Sequence, residues 1–187
     1  NLYRPDFSLD VEASVNLNNL SHFIDRDLFG TINGNLNTRI QAQGMLSRQK
    51  NHLAHDVMAS IRSGYIEFDD AVWKPGGHDY NFEDINGKIV VGPVISFQDF
   101  ALTFNKTNFL VTGSIHNFNN YFIDDKSIIN GNLYVYSKYF DAASFLETGH
   151  GSSDTTGFLL PGRMNIKTTL NADEIRIGKF NASGMKC

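Results

Sequence analysis

Apolar and polar residues alternate with a period of two along the stretch from Ile85 to Ile115. Asn-Gly, Gly-Pro and Asn-Lys-Thr-Asn sequences, which favour turns, punctuate this stretch. Such alternation between turns is typical of antiparallel strands with one apolar face and one polar face. The apolar positions of the three runs are Ile89 and Val91; Phe100, Leu102 and Phe104; and Phe109, Val111, Gly113 and Ile115.

The rest of the chain predicts more of the same sheet. Strand patterns cover Phe7–Val15, then Phe29–Leu36 with a continuation through Met45, and then two strands within Val57–Phe68. Further strands are expected at 129–136 and from 164 onward. Short helices are predicted at 16–25 and at 139–147, where apolar residues fall at helical spacing, and Pro-Gly-Gly predicts a loop at 73–80. The predicted fold class is therefore all-β with a few short helices.

Two parts of the chain resemble each other. Residues 15–36 and 115–133 both predict a strand, a short helix ending in Ile-Asp and a strand beginning with Asn-Gly-Asn-Leu. A repeat of this kind favours a sheet that grows by adding units. Residues 148–158 are small and polar, which predicts a flexible loop. We expect residues 1–187 to be a single β-rich segment of a larger protein.

Composition excludes several classes of protein. The 187 residues carry a net charge of −4 and no long cluster of Lys or Arg, so we expect no nucleic-acid partner. Cys187 is the single cysteine, which excludes an internal disulfide. The sequence has no apolar run of about 20 residues, the length of a membrane-spanning helix.

Few residues suggest catalysis or metal binding. His52 and His55 would share a helical face and point to a metal, but no third ligand follows at a recognisable spacing. His150 and Asp154 flank two serines within one loop, whereas the members of a catalytic triad normally converge from separate elements. Acidic pairs at 69–70 and 124–125 fit turns or helix ends better than a glycosidase dyad or a cation site. We therefore expect no enzymatic activity, no cofactor and no metal.

Three segments resemble one known family in their order along the chain. They are Phe109–Phe118, with a strand and Gly-Ser-Ile-His-Asn; Gly131–Leu146, with an alternating strand, a Ser and a short helix with Asp and a Leu-rich end; and Leu160–Ile175, with Pro, an alternating strand and Ala-Asp. In this order they resemble the AsmA-like family of bacterial envelope proteins, which includes the TamB type. The match covers roughly residues 85–187, and the repeat at 16–36 extends it.

The resemblance implies a long, strongly twisted antiparallel sheet curled into an open trough or half-barrel with an apolar interior. It also implies a periplasmic location, an inner-membrane helix outside this segment, and a non-enzymatic role in holding or conducting phospholipid or another acyl lipid. That role would support outer-membrane assembly or lipid homeostasis, with envelope assembly proteins as further partners. Alternation alone selects the groove candidates, which are Ile89, Val91, Phe109, Val111, Ile115, Leu133, Val135, Ile166 and Ile177.

One alternative fits the same alternation. Period-two strands with Asn-Gly turns also suit an extracellular β-sandwich module for adhesion or glycan binding, which would have a closed core between two sheets. In either case, sheet edges left open are expected to favour self-association.

Overall fold

The computed structural model describes residues 5–20, 30–46, 53–76, 81–124, 126–142, 163–178 and 180–183. Within them lies one nine-stranded sheet with three short helices. The strands are β1 (Asp6–Asn16), β2 (Thr31–Met45), β3 (Ile61–Lys74), β4 (Phe82–Val91), β5 (Val94–Phe104), β6 (Thr107–His116), β7 (Ile129–Asp141), β8 (Met164–Ile177) and β9 (Phe180–Ser183). The helices are α1 (Leu17–Leu20), α2 (Leu53–Ala59) and α3 (Phe118–Ile123).

The strands lie in the sheet in their chain order, from β1 at one edge to β9 at the other. Every neighbouring pair is antiparallel except β7 and β8, which are parallel. The sheet is therefore open and mixed, and the expectation of a purely antiparallel sheet is wrong at this pair. Residues 142–163 connect the two strands, a length sufficient for the crossover that a parallel pair requires.

Three local predictions also need correction. Val57 lies in α2 rather than in a strand, and 57–68 contains one strand, β3, rather than two; Gly64 lies within it. The spacing of Leu53 and Val57, four residues apart, is a helical signal that the strand interpretation overlooked. The predicted loop at 73–80 begins too early, because β3 continues to Lys74; residues 77–80 lie outside the described part of the chain.

The predicted helix at 139–147 starts in a strand, because β7 extends to Asp141. Tyr139 and Phe140 are aromatic residues that suit a strand, and pairing with β8 continues through Asp141. Residues 143–147 lie outside the described chain, as does the predicted loop at 148–158. The predicted helix at 16–25 is confirmed for Leu17–Leu20, and residues 21–25 are again outside the described part.

The two segments of the predicted repeat lie at opposite ends of the strands. The first comprises the end of β1, α1 and the start of β2, and the second comprises the end of β6, α3 and the start of β7. Because β1 and β6 run in opposite directions within the sheet, α1 lies at one end of the strands and α3 at the other. Both segments contain a strand, a short helix and a strand.

Few hydrophobic side chains in the described residues are fully buried. They are Leu17, Ala42, Ile61, Ala71, Ile95, Ile129 and Ala172. Several of them lie at the end of the sheet where α2 joins β2 to β3 and α3 joins β6 to β7, which we call the α2–α3 end. Among the described residues, no helix has the length and apolar character needed to cross a membrane.

Candidate functional site

Cross-strand pairing divides the side chains of the sheet into two faces of opposite character. Directly opposed residues project to the same side of a sheet, so the register traces each face from strand to strand. One row runs Ile66, Ile89, Phe97, Gly113 and Leu133 across five strands. We call the side that carries this row the apolar face and the opposite side the polar face.

The apolar face extends over the other strands through the same pairings. It includes Leu9, Val11, Leu36, Ile40, Phe68, Trp73, Phe82, Phe100, Leu102, Phe104, Met164 and Leu170. Most of these side chains are only partly buried, and Leu9 and Val11 at the β1 edge are each 39% exposed. Within the described residues, no second sheet packs on this face.

Eight of the nine groove candidates lie on the apolar face. They are Ile89, Val91, Phe109, Val111, Ile115, Leu133, Val135 and Ile166, linked by the pairings of β3 through β8. The ninth, Ile177, is the last residue of β8 and pairs with Phe180. It lies beyond the stretch whose face the register defines, and it is 58% exposed.

All glycines within the described strands lie on the apolar face. They are Gly34, Gly44, Gly64, Gly87, Gly113 and Gly131. A glycine removes a side chain from a crowded surface and marks points where a sheet bends or where another group approaches the backbone closely. The apolar face therefore has less side-chain volume than its hydrophobic content suggests.

At Gly87, the missing side chain allows aromatic rings from two flanking strands to meet. It pairs with Phe68 on β3, and a Cβ atom added to it would lie 2.7 Å from Cα of Phe100 on β5. The rings of Phe68 and Phe100, from the strands on either side of β4, therefore meet over Gly87 with their centroids 6.1 Å apart. Their edge-to-face angle of 75° is a favourable aromatic geometry.

A motif of Phe, any residue, Asp and a hydrophobic residue recurs on three consecutive strands. It occurs at 68–71 in β3, 82–85 in β4 and 97–100 in β5. The Asp residues, Asp70, Asp84 and Asp99, are exposed and have left-handed backbone conformations with φ of 47°, 50° and 47°. The strand register shifts at each motif, which identifies three β-bulges.

The bulges explain the spacing within these motifs. In a regular strand, residues three positions apart lie on opposite faces, but an extra bulged residue restores the same face. Phe97 pairs with Gly113 and Phe100 pairs with Val111, so both aromatic residues lie on the apolar face. Bulges also increase the local twist and bend a strand, so three adjacent bulged strands concentrate that bending in one region of the sheet.

Large aliphatic side chains are buried at the α2–α3 end of the apolar face. Ile61, Ile95 and Ile129, at the starts of β3, β5 and β7, are 6%, 9% and 5% exposed. The side chain of Asn119 in α3 donates a hydrogen bond to the carbonyl of Ile61, although the two residues are 58 positions apart. The helices α2 and α3 also contact each other. This end of the face is therefore closed by the chain itself.

Arg163 fixes α3 to the start of β8. Its guanidinium donates hydrogen bonds to the carbonyls of Asp124 at 2.8 Å and Ser127 at 3.1 Å, and to that of Tyr121 at 3.3 Å. It also lies over the Tyr121 ring, 4.3 Å from the centroid. A cation at the carboxyl end of a helix satisfies carbonyls that have no partner within the helix.

Aromatic rings line the opposite end of the apolar face. Trp73 and Phe82 stack with centroids 5.2 Å apart, and Phe82 and Phe104 follow at 4.8 Å. Phe109 and Phe140 make an edge-to-face contact at 6.2 Å. Between this aromatic end and the α2–α3 end lies the partly buried middle of the face, which contains Ile89, Val111 and Leu133.

Hydrogen bonds connect exposed side chains across the polar face. Arg39 pairs with Asp10 at 3.2 Å, Gln41 donates to the same carboxylate at 3.0 Å, and Ser63 donates to Gln41 at 3.0 Å. These contacts hold the pKa of Asp10 below its ordinary value, with the Arg39 hydrogen bond as the main cause. Tyr136 donates its hydroxyl proton to Asp173 at 2.7 Å, which raises the pKa of the phenol.

The residues considered for catalysis or metal binding do not converge within the described chain. His55 lies in α2, while His52, His150, Asp154 and Asp125 fall outside the described residues. Asp70 is a bulge residue hydrogen-bonded to Asn86, and Asp124 ends α3 and accepts from the backbone of Lys126 and the hydroxyl of Ser127. In the described part, no group of three or more His, Cys, Asp or Glu residues is placed to hold a metal ion.

Comparison with family models, with curated proteins and with solved structures found no match. Inferences about function therefore rest on the geometry of this sheet and on the resemblance of its sequence motifs.

Proposed function

We propose that this chain is a non-enzymatic, lipid-handling segment of an AsmA-like envelope protein, and that its apolar face holds phospholipid or another acyl lipid. The observation that carries the proposal is a single open sheet whose apolar face has no second layer among the described residues. Hydrophobic surface of this extent is rarely left in contact with water, so lipid, a partner sheet or the rest of the chain must cover it, and we propose lipid.

Acyl chains match this surface in chemistry and in size. Nine strands about 4.8 Å apart span roughly 38 Å across the sheet, which is enough for a hydrocarbon tail lying across the strands. Each methylene removed from water contributes about 0.8 kcal/mol, so covering two tails contributes roughly 20 kcal/mol or more.

Bulges and glycines also support the curled form of the sheet. Three bulged strands and glycines confined to the apolar face favour curvature toward that face, since bulges and glycine kinks are the usual means of bending a sheet. The proposed curved groove is closed at the α2–α3 end, where Ile61, Ile95 and Ile129 are buried. Lipid is expected in the middle of the face.

The cellular context in this proposal comes from the sequence resemblance. The segment would lie in the periplasm, attached to the inner membrane by a helix outside this sequence, and would support outer-membrane assembly or lipid homeostasis. The alternative, a β-sandwich binding module, needs a second sheet over the same apolar residues. The described residues contain one sheet, so the architecture favours the lipid proposal.

Substitutions at two neighbouring positions on β6 test the proposal. Val111 lies on the apolar face between Phe100 and Val135, whereas Thr112 is exposed on the polar face. The chain is purified without detergent, and co-purified lipid is extracted and quantified by mass spectrometry. We expect Val111→Asp to reduce bound phospholipid at least fivefold and Thr112→Asp to leave it within a factor of two.

Photo-cross-linking provides a test that does not depend on tolerance of a buried charge. p-Benzoylphenylalanine is placed at position 111 or at position 112, and the protein is irradiated in cells that incorporate radiolabelled phosphate into their lipids. We expect labelled adducts at position 111 and few at position 112. Absence of co-purified lipid together with absence of adducts at position 111 would overturn the proposal.

A further inference from the structure

The outer edge of β1 is a long row of backbone groups without a partner strand among the described residues. The strand runs from Asp6 to Asn16 and pairs only with β2, in an uninterrupted register. The backbone amide of Leu46 donates to the carbonyl of Pro5, and this bond places Pro5 in a hydrogen-bonded pair. Hydrogen-bonded and non-hydrogen-bonded pairs alternate along an antiparallel ladder, so odd-numbered residues of β1 bond to β2.

Even-numbered residues of β1 therefore direct their amide and carbonyl groups away from the sheet. Natural proteins usually protect such an edge with charged side chains, a proline, a bulge or a very short strand. Within its 11 residues β1 has charged side chains but no proline, lysine or bulge, whereas the described part of β9, at the other edge, comprises 4 residues. The β1 edge is thus suited to accept another strand.

Side chains at the same even-numbered positions are acidic or polar. Asp6, Asp10 and Glu12 all lie on the polar face. Arg39 pairs with Asp10 by a salt bridge and with Glu12 by register, and Arg62 on β3 lines the same surface depression as Asp10. Among the described residues, no salt bridge joins Asp6 or Glu12. The edge therefore presents free backbone groups together with an excess of negative charge.

This charge disfavours a second copy of the same strand. Two β1 strands can form a symmetric antiparallel pair in several registers. The three registers with the greatest overlap are centred on Asp10, on Val11 and on Glu12. The first and third registers place a carboxylate opposite its own copy, and the second places Asp10 opposite Glu12. Like charges directly opposed across a strand pair are destabilising. A parallel symmetric pair would instead place the apolar face of one sheet beside the polar face of the other.

We infer that the β1 edge binds an extended peptide segment that alternates apolar and basic side chains and adds a tenth strand to the sheet. Its backbone bonds to the even-numbered residues of β1, its lysines or arginines face Asp6, Asp10 and Glu12, and its apolar residues continue the row of Leu9 and Val11. Main-chain hydrogen bonds provide affinity in this mode of recognition, and the alternating side chains provide specificity. The inference is independent of the lipid proposal.

The probe for this site is a fluorescein-labelled eight-residue peptide of alternating lysine and valine, titrated with the full chain and followed by anisotropy. Ser8→Pro removes one outward-facing amide while keeping the bonds to β2 and the charge of the strand, and Ser8→Ala is the matched control. We expect Ser8→Pro to weaken binding at least tenfold and Ser8→Ala to change it less than twofold. Glu12→Lys should weaken binding about fivefold and reduce its dependence on salt.

Amide hydrogen exchange tests the same site without any substitution. With the peptide bound, the amides of Ser8, Asp10 and Glu12 should gain protection, whereas those of the odd-numbered residues are already bonded to β2. Three outcomes would overturn the inference: binding that Ser8→Pro leaves unchanged, equal binding of a peptide of alternating glutamate and valine, or a dimer in analytical ultracentrifugation that Ser8→Pro dissociates. The last outcome would assign the edge to a second copy of the chain.

Discussion

The two faces of this sheet are made by the same strands and yet are stabilised in different ways. On the polar face, Lys88 joins Glu67 at 3.6 Å and lies over the ring of Tyr65, in contacts that water also solvates. On the apolar face, Phe68 and Phe100 meet over a glycine, and their neighbours remain partly exposed. The polar side chains are solvated and hydrogen-bonded, whereas hydrophobic side chains on the apolar face are left partly exposed.

This difference shows where substitutions should have the largest effects. Charged and hydroxyl side chains on the polar face can be exchanged with little loss, because exposed pairs contribute little to stability. The apolar face combines tightly fitted backbone positions, a buried end and an open middle. Comparison of these three regions gives a graded series of expected effects.

The largest effect is expected at Gly87. Its φ of 105° is strained for any residue with a side chain, and a Cβ atom there would collide with the carbonyl oxygen of Asp99 and approach Cα of Phe100 to 2.7 Å. We expect Gly87→Ala to reduce the free energy of unfolding by about 3–5 kcal/mol, measured by urea denaturation.

Gly178 is the control, because its φ is 60° but nothing lies within 4 Å of an added Cβ atom. Gly178→Ala should therefore cost only about 1 kcal/mol, from backbone strain alone. Equal losses for the two variants would mean that the close approach at Gly87 does not contribute.

A smaller effect is expected from hydrophobic truncation, and it should differ along the apolar face. Ile95 is 9% exposed at the α2–α3 end, whereas Ile89 lies in the partly buried middle. In lipid-free protein, Ile95→Ala should cost about 2–4 kcal/mol and Ile89→Ala about 1 kcal/mol, because only the first leaves a cavity. Urea denaturation measures both, and a larger loss for Ile89→Ala would show that the middle is covered.

Sequence patterns predicted much of this fold and of its apolar face. The alternation at Phe109, Val111 and Ile115 requires only a regular strand, and the structure places all three on one face. Strand order follows chain order, which turn signals between strands favour. The parallel pairing of β7 and β8 was not predictable, since alternation does not specify the direction of a strand.

Bulges limited the prediction elsewhere. Period two fails between Phe97 and Phe100, between Phe82 and Ile85, and between Phe68 and Ala71, so these pairs would be assigned to opposite faces. The recurrence of Phe, any residue, Asp and a hydrophobic residue was the available signal. It becomes informative once Asp is recognised as one of the few residues that tolerate a left-handed backbone. The buried α2–α3 end depends on contacts between distant segments; the spacing of Leu53 and Val57 indicates the helix α2 but not those contacts.

The bulges themselves provide the next prediction. Asp99 has φ of 47°, is exposed, and is tolerated there because a short polar side chain suits the left-handed region. Asp99→Asn should change the free energy of unfolding by less than about 0.5 kcal/mol, whereas Asp99→Val should cost about 1–2 kcal/mol. Similar values for both variants in urea denaturation would show that the bulge does not constrain this residue.

The smallest effect is expected on the polar face, at the Asp10 carboxylate. Its pKa lies below the ordinary value because Arg39 and Gln41 donate to it, so its contribution to stability is present above the pKa of the unfolded chain and is lost as pH falls through the lowered folded-state pKa. Because the site is solvent-exposed, Arg39→Gln should raise the pKa of Asp10 toward 3.8 with little change in stability at neutral pH.

An NMR titration of the Asp10 side-chain carbon measures the shift, and Lys88→Gln, which removes the cation paired with Glu67, is the control that should leave it unchanged. A large loss of stability in Arg39→Gln at neutral pH would contradict the distinction between the two faces, since it would mean that the polar face also depends on tightly coupled contacts.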